Sequence, residues 1–214
     1  AVGAAAIEAL EAEAGIPHEG EVLTIASSTV ISGGSLFVSS SMPVRDLDVF
    51  GYPRSERIHV YGNRGASGID GIISTAFGVA SQCAGPMVCV LGDLAFFHDQ
   101  NGLLWHREDD TAVVFVLIDN NGGGIFHMLP VAEHEPHFTR LIATPHGLDL
   151  SHAAALHGIA LRDVTIPELT EELGRAVADG VTTVLRVRTD RIESHQRRVE
   201  LAEIVGRSVR EALK

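Results

Sequence analysis

Two nearly continuous apolar runs, at residues 87–91 and 112–118, restrict the fold of this chain more than any other feature. Both runs are rich in Val, Leu and Ile and are short for helices, a pattern typical of parallel strands that are covered on both faces. Further short segments that read as strands lie at residues 35–39, 57–61, 161–165 and 182–188. The sequence therefore predicts an α/β fold: a doubly wound, mainly parallel six-stranded sheet with helices on both faces.

Helical patterns fill the intervals between these segments. They lie at residues 44–50, 70–82, 99–107, 150–157, 167–178 and 192–213. Before the first strand, residues 4–14 predict a helix ended by Gly15 and Pro17, and residues 22–30 predict a second one. We interpret residues 1–34 as a helical lead-in and residues 35–214 as the domain itself. Residues 128–148 show no clear period and predict a long loop.

Charge and cysteine content argue against several classes of protein. The formal net charge of −12 disfavours binding to nucleic acid or anionic membranes, which requires a basic surface. Two cysteines support neither a disulfide scaffold nor a zinc site, and they fit a reducing cytoplasm. The longest apolar run has seven residues, whereas a membrane-spanning helix needs about 20, so no span is predicted.

Four loops that follow strands carry small and polar residues, at the edge of the sheet where open parallel sheets bind ligands. These loops are residues 39–45, 62–71, 92–94 and 119–124. Ordinary turn chemistry explains each loop alone, but the four together favour a site where backbone N–H groups bind an anion. The Gly-Lys-Ser/Thr motif of nucleoside triphosphate sites and the spacing of the dinucleotide fingerprint are both missing from the sequence.

Asp93 and Asn120 are the most specific pair in these loops. They lie 27 residues apart, which is enough for one helix and one strand, so we expect both side chains at neighbouring strand ends. Carboxylate, amide and carbonyl oxygens are the ligands that Mg²⁺ prefers. A metal-bridged diphosphate is the ligand that this pair predicts.

Gly-Asp followed about 27 residues later by Asn resembles the signature of the thiamine diphosphate enzymes, in particular the decarboxylase and acetolactate synthase group. By that resemblance Asp93, Asn120 and the carbonyl of Gly122 hold the Mg²⁺ or Mn²⁺ of the cofactor. The chain departs from the common pattern twice, with Leu94 in place of Gly and Asp119 in place of Asn. The extra carboxylate leaves the orientation of Asp119 open.

A longer set of segments resembles one branch of that group, the 2-succinyl-5-enolpyruvyl-6-hydroxy-3-cyclohexene-1-carboxylate synthases of menaquinone biosynthesis. The segments are SMPVR, YGNRGASGIDG, GDLAFFHDQNGLL, DNNGGGIFHMLP and SHAAALHG. They match the C-terminal, diphosphate-binding domain of the family, from about residue 36 to at least residue 187. The resemblance implies a transferase, a carboligase that decarboxylates 2-oxoglutarate and adds the resulting succinyl unit to isochorismate.

The same resemblance assigns roles to individual residues. It makes Arg45 and Arg64 the partners of 2-oxoglutarate, whereas a surface ion pair is the simpler explanation of either arginine. It gives diphosphate contacts to Ser41, Ser67, Gly92, Leu94 and Gly122. Ile69 becomes the wedge that bends the cofactor, and Ile125 with Phe126 the apolar wall beside the reacting carbon, although each could equally be plain core.

The histidines suggest no metal site from their spacing. His134 and His137 do not form a helical His-Glu-x-x-His motif, and His152 and His157 point to different sides of a helix. We interpret most of them as surface or partly buried residues. His127, beside the predicted apolar wall, is the one with a possible role in the site.

The family also needs a pyrimidine-binding domain, which supplies a glutamate and usually belongs to a partner subunit. This chain has room for one α/β domain, so the pyrimidine-binding and central domains are expected elsewhere. The resemblance implies a cytoplasmic homodimer or homotetramer at full length, and we expect this chain alone to turn over no substrate. Two alternatives stay open: another thiamine diphosphate carboligase or decarboxylase, such as an acetolactate synthase, and a non-catalytic domain that has lost the cofactor.

Overall fold

The computed structural model describes residues 2–13, 16–85, 87–107 and 111–214. Its sheet has six strands, β1 to β6: Ser35–Val38, His59–Tyr61, Met87–Gly92, Val113–Asp119, Ala160–Asp163 and Thr183–Arg188. They lie in the order β2-β1-β3-β4-β6-β5, and every neighbouring pair is parallel. The predicted doubly wound α/β fold is therefore confirmed.

In the part of the chain that the structure describes, eight α-helices connect and cover these strands. Helices α1 to α8 are Val2–Glu11, Glu19–Thr29, Met42–Phe50, Ile72–Ala80, Asp93–His98, Ser151–Leu156, Ile166–Asp179 and Arg191–Ala212. The first predicted helix is present over most of its length, but Ala14 and Gly15 lie outside the described residues. No helix in the described ranges is long and apolar enough to cross a bilayer.

Two apolar layers sandwich the sheet because successive strand residues point to opposite faces. On one face Phe115 and Leu117 of β4 pack with α4, α5 and α6. On the other face Val116 and Ile118 pack with α2 and α7. Helix α2, which precedes the first strand, therefore contributes side chains to the core.

The helix predicted at residues 99–107 was wrong in type and start. Helix α5 begins at Asp93, directly after β3, and the stretch Gln100–Arg107 is a 3₁₀ helix. The β-carbon of any other residue at Gly102 would lie 2.6 Å from Ser74 Oγ, so a tight turn against α4 forms where the sequence suggested a regular helix. Because α5 begins directly after β3, Asp93 lies in the first turn of a helix instead of in a loop.

The stretch predicted as a loop, residues 128–148, is more ordered than expected. It contains a 3₁₀ turn at Pro130–Glu133 and a π-helical turn at Thr139–Ala143. Phe138 and Ala143 are buried, so tertiary packing holds a segment whose sequence has no clear period. Its far end lies against the candidate site described below.

His18, which precedes α2, should make folding sensitive to acid. Its ring packs against Phe50, and burial, together with Arg197 and Arg198, lowers its pKa to about 4. Below about pH 6.5 the unfolded chain binds a proton that the folded chain does not, so this contribution is present above pH 6.5 and lost toward pH 4. Between pH 6.5 and pH 4, we expect uptake of this proton to lower the free energy of unfolding by up to about 1.4 kcal/mol for each pH unit of acidification.

Urea unfolding of the wild type and of His18→Gln at pH 7, 6 and 5 measures this effect. The difference in stability between the two proteins should shrink as the pH falls. The same substitution at exposed His137 is the control. A difference that stays constant from pH 7 to pH 5 would contradict the prediction.

Candidate functional site

A cleft of about 100 Å³ opens at the carboxyl ends of the central strands. Parallel strands bring successive loops to one edge, and here the loops after β1, β3 and β4 meet. Most of the sequence-predicted site residues line this cleft: Ser41, Ile69, Gly92, Asp93, Leu94, Asn120, Gly122, Ile125 and Phe126. Loops that are far apart in sequence therefore form one site.

Arg45, Arg64 and Ser67 do not line this cleft. All three are exposed. The Arg45 guanidinium donates to the Ser41 carbonyl at 2.6 Å, and the Ser67 hydroxyl donates to the Arg64 carbonyl at 3.3 Å. Their roles toward substrate and diphosphate stay predictions.

Asp93 is buried at the first turn of α5, with 2% of its surface exposed. Its Oδ1 accepts from its neighbour Leu94 N at 2.6 Å, and its Oδ2 accepts from Gly122 N at 2.8 Å. The Nε2 atom of His146 lies 3.1 Å from Oδ2. Burial raises the pKa of Asp93 although these three contacts oppose the shift, so a cation would stabilise the charged carboxylate.

Asn120 is oriented by a carboxylate from α2. Its Nδ2 donates to Glu19 Oε1 at 2.9 Å, and Thr189 Oγ1 donates to the same oxygen at 2.6 Å. Because the NH₂ end of the amide faces Glu19, the Oδ1 end is the one available to a cation. Asn120 and Glu19 both line the cleft.

The loop after β4 needs glycine at position 122. Gly122 has φ +134°, and a β-carbon there would lie 2.4 Å from the Ala143 carbonyl oxygen. Gly123 N donates to that same carbonyl at 2.7 Å. The segment around residues 143–147 thus braces the loop, since Asn121 Oδ1 also accepts from the backbone of His146 and Gly147.

The carboxylate of Asp119 faces an arginine on a neighbouring strand. Its Oδ2 lies 3.9 Å from NH1 of Arg186, which is 3% exposed and also pairs with Asp149 and Asp163. Strand alternation turns Asp119 toward the side of Leu117, whereas the next residue, Asn120, turns to the other side. This answers the question that the sequence left open: the Asp119 carboxylate lies beside the buried Arg186 guanidinium, whose closer partners, Asp149 and Asp163, are half-exposed. One oxygen of Asp119 still lies within 4.8 Å of ligand atoms of Asp93 and His146.

Backbone strain marks the entrance of α3. Ser41 has φ +75° and ψ −131°, a conformation that ordinarily requires glycine, at the residue just before the helix. Ser41 lines the cleft beside Ser39. Nearby, the Ser40 hydroxyl donates to the Asn63 carbonyl at 3.1 Å, which ties this loop to the one after β2.

Ile69, Ile125 and Phe126 contribute apolar side chains to the lining of the cleft, and their roles toward a cofactor stay predictions. Phe126 packs against the glycine loop, because a β-carbon at Gly123 would lie 2.6 Å from its ring. His127 does not line this cleft. Its ring stacks with His195 and meets Phe138 edge to face, and burial lowers its pKa.

The donor set suits a hard divalent cation bound to a diphosphate. The cleft offers the Asp93 carboxylate, the Asn120 amide oxygen and the backbone of Gly122, all typical ligands of Mg²⁺ or Mn²⁺. Gly92 lines the cleft and has open space where a β-carbon would stand, which leaves room for phosphate close to the main chain. The residues present therefore fit a metal-bound diphosphate.

Sequence reasoning missed Glu19 and His146, which contact the two predicted side-chain ligands. Glu19 lies 101 residues from Asn120, and His146 lies 53 residues from Asp93. The signal for His146 was its place in a Pro-His-Gly turn, and the signal for Glu19 was its place in the first turn of α2. Neither signal identifies a partner without the fold.

Residues 47–187 match the family model described as "Thiamine pyrophosphate enzyme, C-terminal TPP binding domain". The matched region begins within α3 and ends in β6, so it includes all three predicted metal ligands.

Similar proteins carry the name 2-succinyl-5-enolpyruvyl-6-hydroxy-3-cyclohexene-1-carboxylate synthase. The one from Natronomonas pharaonis is 45% identical over 190 residues, which are 88% of this chain and 32% of the relative. The one from Halobacterium salinarum is 43% identical over 193 residues, covering 89% and 33%. The one from Bacillus cytotoxicus is 42% identical over 179 residues, covering 83% and 30%. The chain thus spans about a third of the length of these relatives.

A solved structure of benzoylformate decarboxylase from Polynucleobacter necessarius has a similar fold. The TM-score is 0.67 at 21% identity, over 84% of this chain and 34% of that one. A thiamin diphosphate-dependent enzyme from Mycobacterium smegmatis aligns with a TM-score of 0.61 at 20% identity, over 82% and 32%. At these identities the likeness shows a shared fold.

Proposed function

Because the chain belongs to the thiamine pyrophosphate enzymes, as their C-terminal TPP binding domain, we propose that it is the diphosphate- and metal-binding part of a 2-succinyl-5-enolpyruvyl-6-hydroxy-3-cyclohexene-1-carboxylate synthase. The observation that carries the proposal is the meeting of Asp93, Asn120 and Gly122 in one cleft at the ends of β3 and β4. The similarity to relatives of that name over most of this chain supports the choice within the family.

The residues of the cleft divide the binding of thiamine diphosphate among them. Asp93, Asn120 and the Gly122 carbonyl would hold Mg²⁺ or Mn²⁺, while Ser41, Gly92, Leu94 and Gly122 of the cleft, together with Ser67 outside it, would contact the diphosphate. When bound, the cofactor supplies the electron sink that lets a 2-oxo acid lose carbon dioxide. Ile69 would contact the cofactor from the apolar lining of the cleft, and Ile125 with Phe126 would exclude water from the reacting carbon.

The substrates of the whole enzyme are two anions, 2-oxoglutarate and isochorismate. Arg45 is exposed in the first turn of α3 and Arg64 is exposed on the loop after β2, so their guanidinium groups are accessible to a carboxylate. A planar guanidinium can bind a carboxylate with two parallel hydrogen bonds. In a chain with net charge −12, these arginines supply local positive charge for a dicarboxylic acid.

The complete enzyme needs further domains, which we place outside this chain. The chain covers a third of its relatives, which leaves room for the pyrimidine-binding and central domains. We propose that the pyrimidine-binding domain comes from a partner subunit of a cytoplasmic homodimer or homotetramer. This chain alone is then expected to give no product from 2-oxoglutarate and isochorismate with Mg²⁺ and thiamine diphosphate.

An Arg64→Ala variant of the full-length protein tests the choice of substrate. We expect the KM for 2-oxoglutarate to rise about 10- to 100-fold, the loss of a hydrogen-bonded charge pair worth roughly 1.5–3 kcal/mol. Arg57→Ala is the matched control, since Arg57 is equally exposed but precedes β2 at the opposite edge of the sheet. Steady-state kinetics of each variant, measured once with 2-oxoglutarate and once with pyruvate, give the KM for each of the two substrates.

Two results would overturn the proposal. Turnover of pyruvate in preference to 2-oxoglutarate by the wild type would favour an acetolactate synthase. Failure of the full-length wild type to bind thiamine diphosphate with Mg²⁺ in calorimetry would favour a non-catalytic domain.

A further inference from the structure

We propose that Glu19 is a positioning residue that fixes which end of the Asn120 amide faces the metal, an inference that rests on the proposed function. Glu19 begins α2 and is 4% exposed. A buried carboxylate requires hydrogen-bond donors, and Glu19 Oε1 accepts from Asn120 Nδ2 at 2.9 Å and from Thr189 Oγ1 at 2.6 Å. A predicted metal ligand is thus one of its two donors.

The two ends of an asparagine amide differ in what they can bind. The oxygen can ligate a cation, whereas the NH₂ group only donates hydrogen bonds. Glu19 as a carboxylate only accepts, so it selects the NH₂ end of Asn120 and leaves Oδ1 for the cleft. A flipped amide would set two oxygens against each other and present the NH₂ group to the cation.

The position of Glu19 is itself tightly determined. A β-carbon at Gly20 would lie 2.3 Å from the Phe50 ring, so the start of α2 packs closely on α3. Thr189, the second donor, is tied to the start of the loop after β4, because its backbone N donates to the Asp119 carbonyl at 3.0 Å. The start of α2 and the second donor of the Glu19 carboxylate are therefore both held in place beside Asn120.

Positive charge lies close to this buried carboxylate. A small cavity beside the cleft is lined by Glu19 together with Arg191, His195 and Arg198. Arg191 NH1 also donates to the Asn121 carbonyl at 3.1 Å, next to the amide in question. Cationic side chains thus lie beside Glu19, and none of the described contacts places a competing donor on Asn120 Oδ1.

A purely structural role for Glu19 makes a different prediction. Acidic groups in a first helical turn stabilise the helix, and satisfied buried groups stabilise the fold. If that were all, replacing Glu19 would lower folding stability and leave the metal affinity of the folded protein unchanged. Metal affinity, measured separately from stability, distinguishes the two roles.

The experiment measures Mn²⁺ binding by electron paramagnetic resonance, with thiamine diphosphate present, in the full-length protein. Glu19→Gln keeps the shape of the side chain but can pair with either end of Asn120. We expect Mn²⁺ to bind about 10- to 100-fold more weakly, the usual cost of losing an outer partner of a metal ligand. Glu21→Gln, the same change two residues later on α2, is the control and should bind Mn²⁺ as the wild type does.

Repeating the Glu19→Gln substitution in an Asn120→Asp variant tests whether Glu19 acts by orienting the side chain at position 120. In Asn120→Asp both ends of the side chain are oxygens, so nothing remains to be oriented, and Glu19 now opposes a like charge. Adding Glu19→Gln to Asn120→Asp should therefore strengthen Mn²⁺ binding, the reverse of its effect beside Asn120. Thermal unfolding without metal records the stability of each variant.

The outcomes separate this inference from the proposed function. If the wild type binds no Mn²⁺ with thiamine diphosphate, the proposed function fails. If the wild type binds and Glu19→Gln binds equally well, or if Glu19→Gln weakens binding by the same factor in both backgrounds, the positioning role is overturned. Opposite effects in the two backgrounds support it.

Discussion

Asp93→Asn should remove the stabilisation that Mg²⁺ and thiamine diphosphate give to the folded protein. Asp93 is the charged member of the predicted ligand set, and its burial means that little water can replace it. A ligand present at 100 times its Kd stabilises the folded state by about 2.7 kcal/mol, and this gain should vanish in the variant. The corresponding loss of affinity is at least about 100-fold.

The variant should still fold without ligands. Asparagine keeps the shape of the side chain and one acceptor oxygen, so at most about 1–3 kcal/mol is lost from the contacts with Gly122 N, Leu94 N and His146. Thermal unfolding with and without Mg²⁺ and cofactor measures both effects, with exposed Asp48→Asn as the control. A ligand-dependent shift that persists in Asp93→Asn would remove Asp93 from the metal site.

Gly122→Ala should cost about 2–4 kcal/mol of folding stability, because it combines a left-handed backbone with a steric clash. Gly122 has φ +134°, and its new β-carbon would lie 2.4 Å from the Ala143 carbonyl oxygen. Relief of the clash must move the loop and with it Gly122 N, which donates to Asp93. Metal binding should therefore weaken together with stability.

Gly147→Ala separates the two causes. Gly147 also has a positive φ, +60°, but open space surrounds its β-carbon position. We expect it to cost only about 1–2 kcal/mol, the price of a left-handed conformation for an ordinary residue. Denaturant unfolding of both variants gives the comparison, and equal losses would show that contact with Ala143 has no part in the effect.

The sheet and its ligand edge could be predicted because the relevant signals are local. The apolar runs of β3 and β4 identify themselves, and each ends directly at the polar residues of the site. Connectivity rules then bring Asp93 and Asn120 to neighbouring strand ends without any knowledge of side-chain packing. The predicted ligand set and the confirmed fold thus rest on the same two segments.

The remaining features depend on tertiary contacts that the local sequence does not encode. Helix α5 begins at Asp93 because the chain turns directly out of β3, whereas the Gly-Asp pair looked like part of a loop. Residues 128–148 lack a period because their order comes from burying Phe138 and Ala143. Glu19 and His146 meet their partners only after the sheet has formed.

The contact between α2 and the loop after β4 bears on how such enzymes can be recombined. A chimera joined at the start of β1 would combine Asn120 from one parent with the acidic residue of α2 from the other. If the foreign helix lay even 1 Å away, the hydrogen bond at 2.9 Å would be broken. Crossover points placed ahead of His18 take Glu19 and Asn120 from the same parent. Hybrids recombined there should therefore bind the cofactor more often than hybrids recombined at the start of β1.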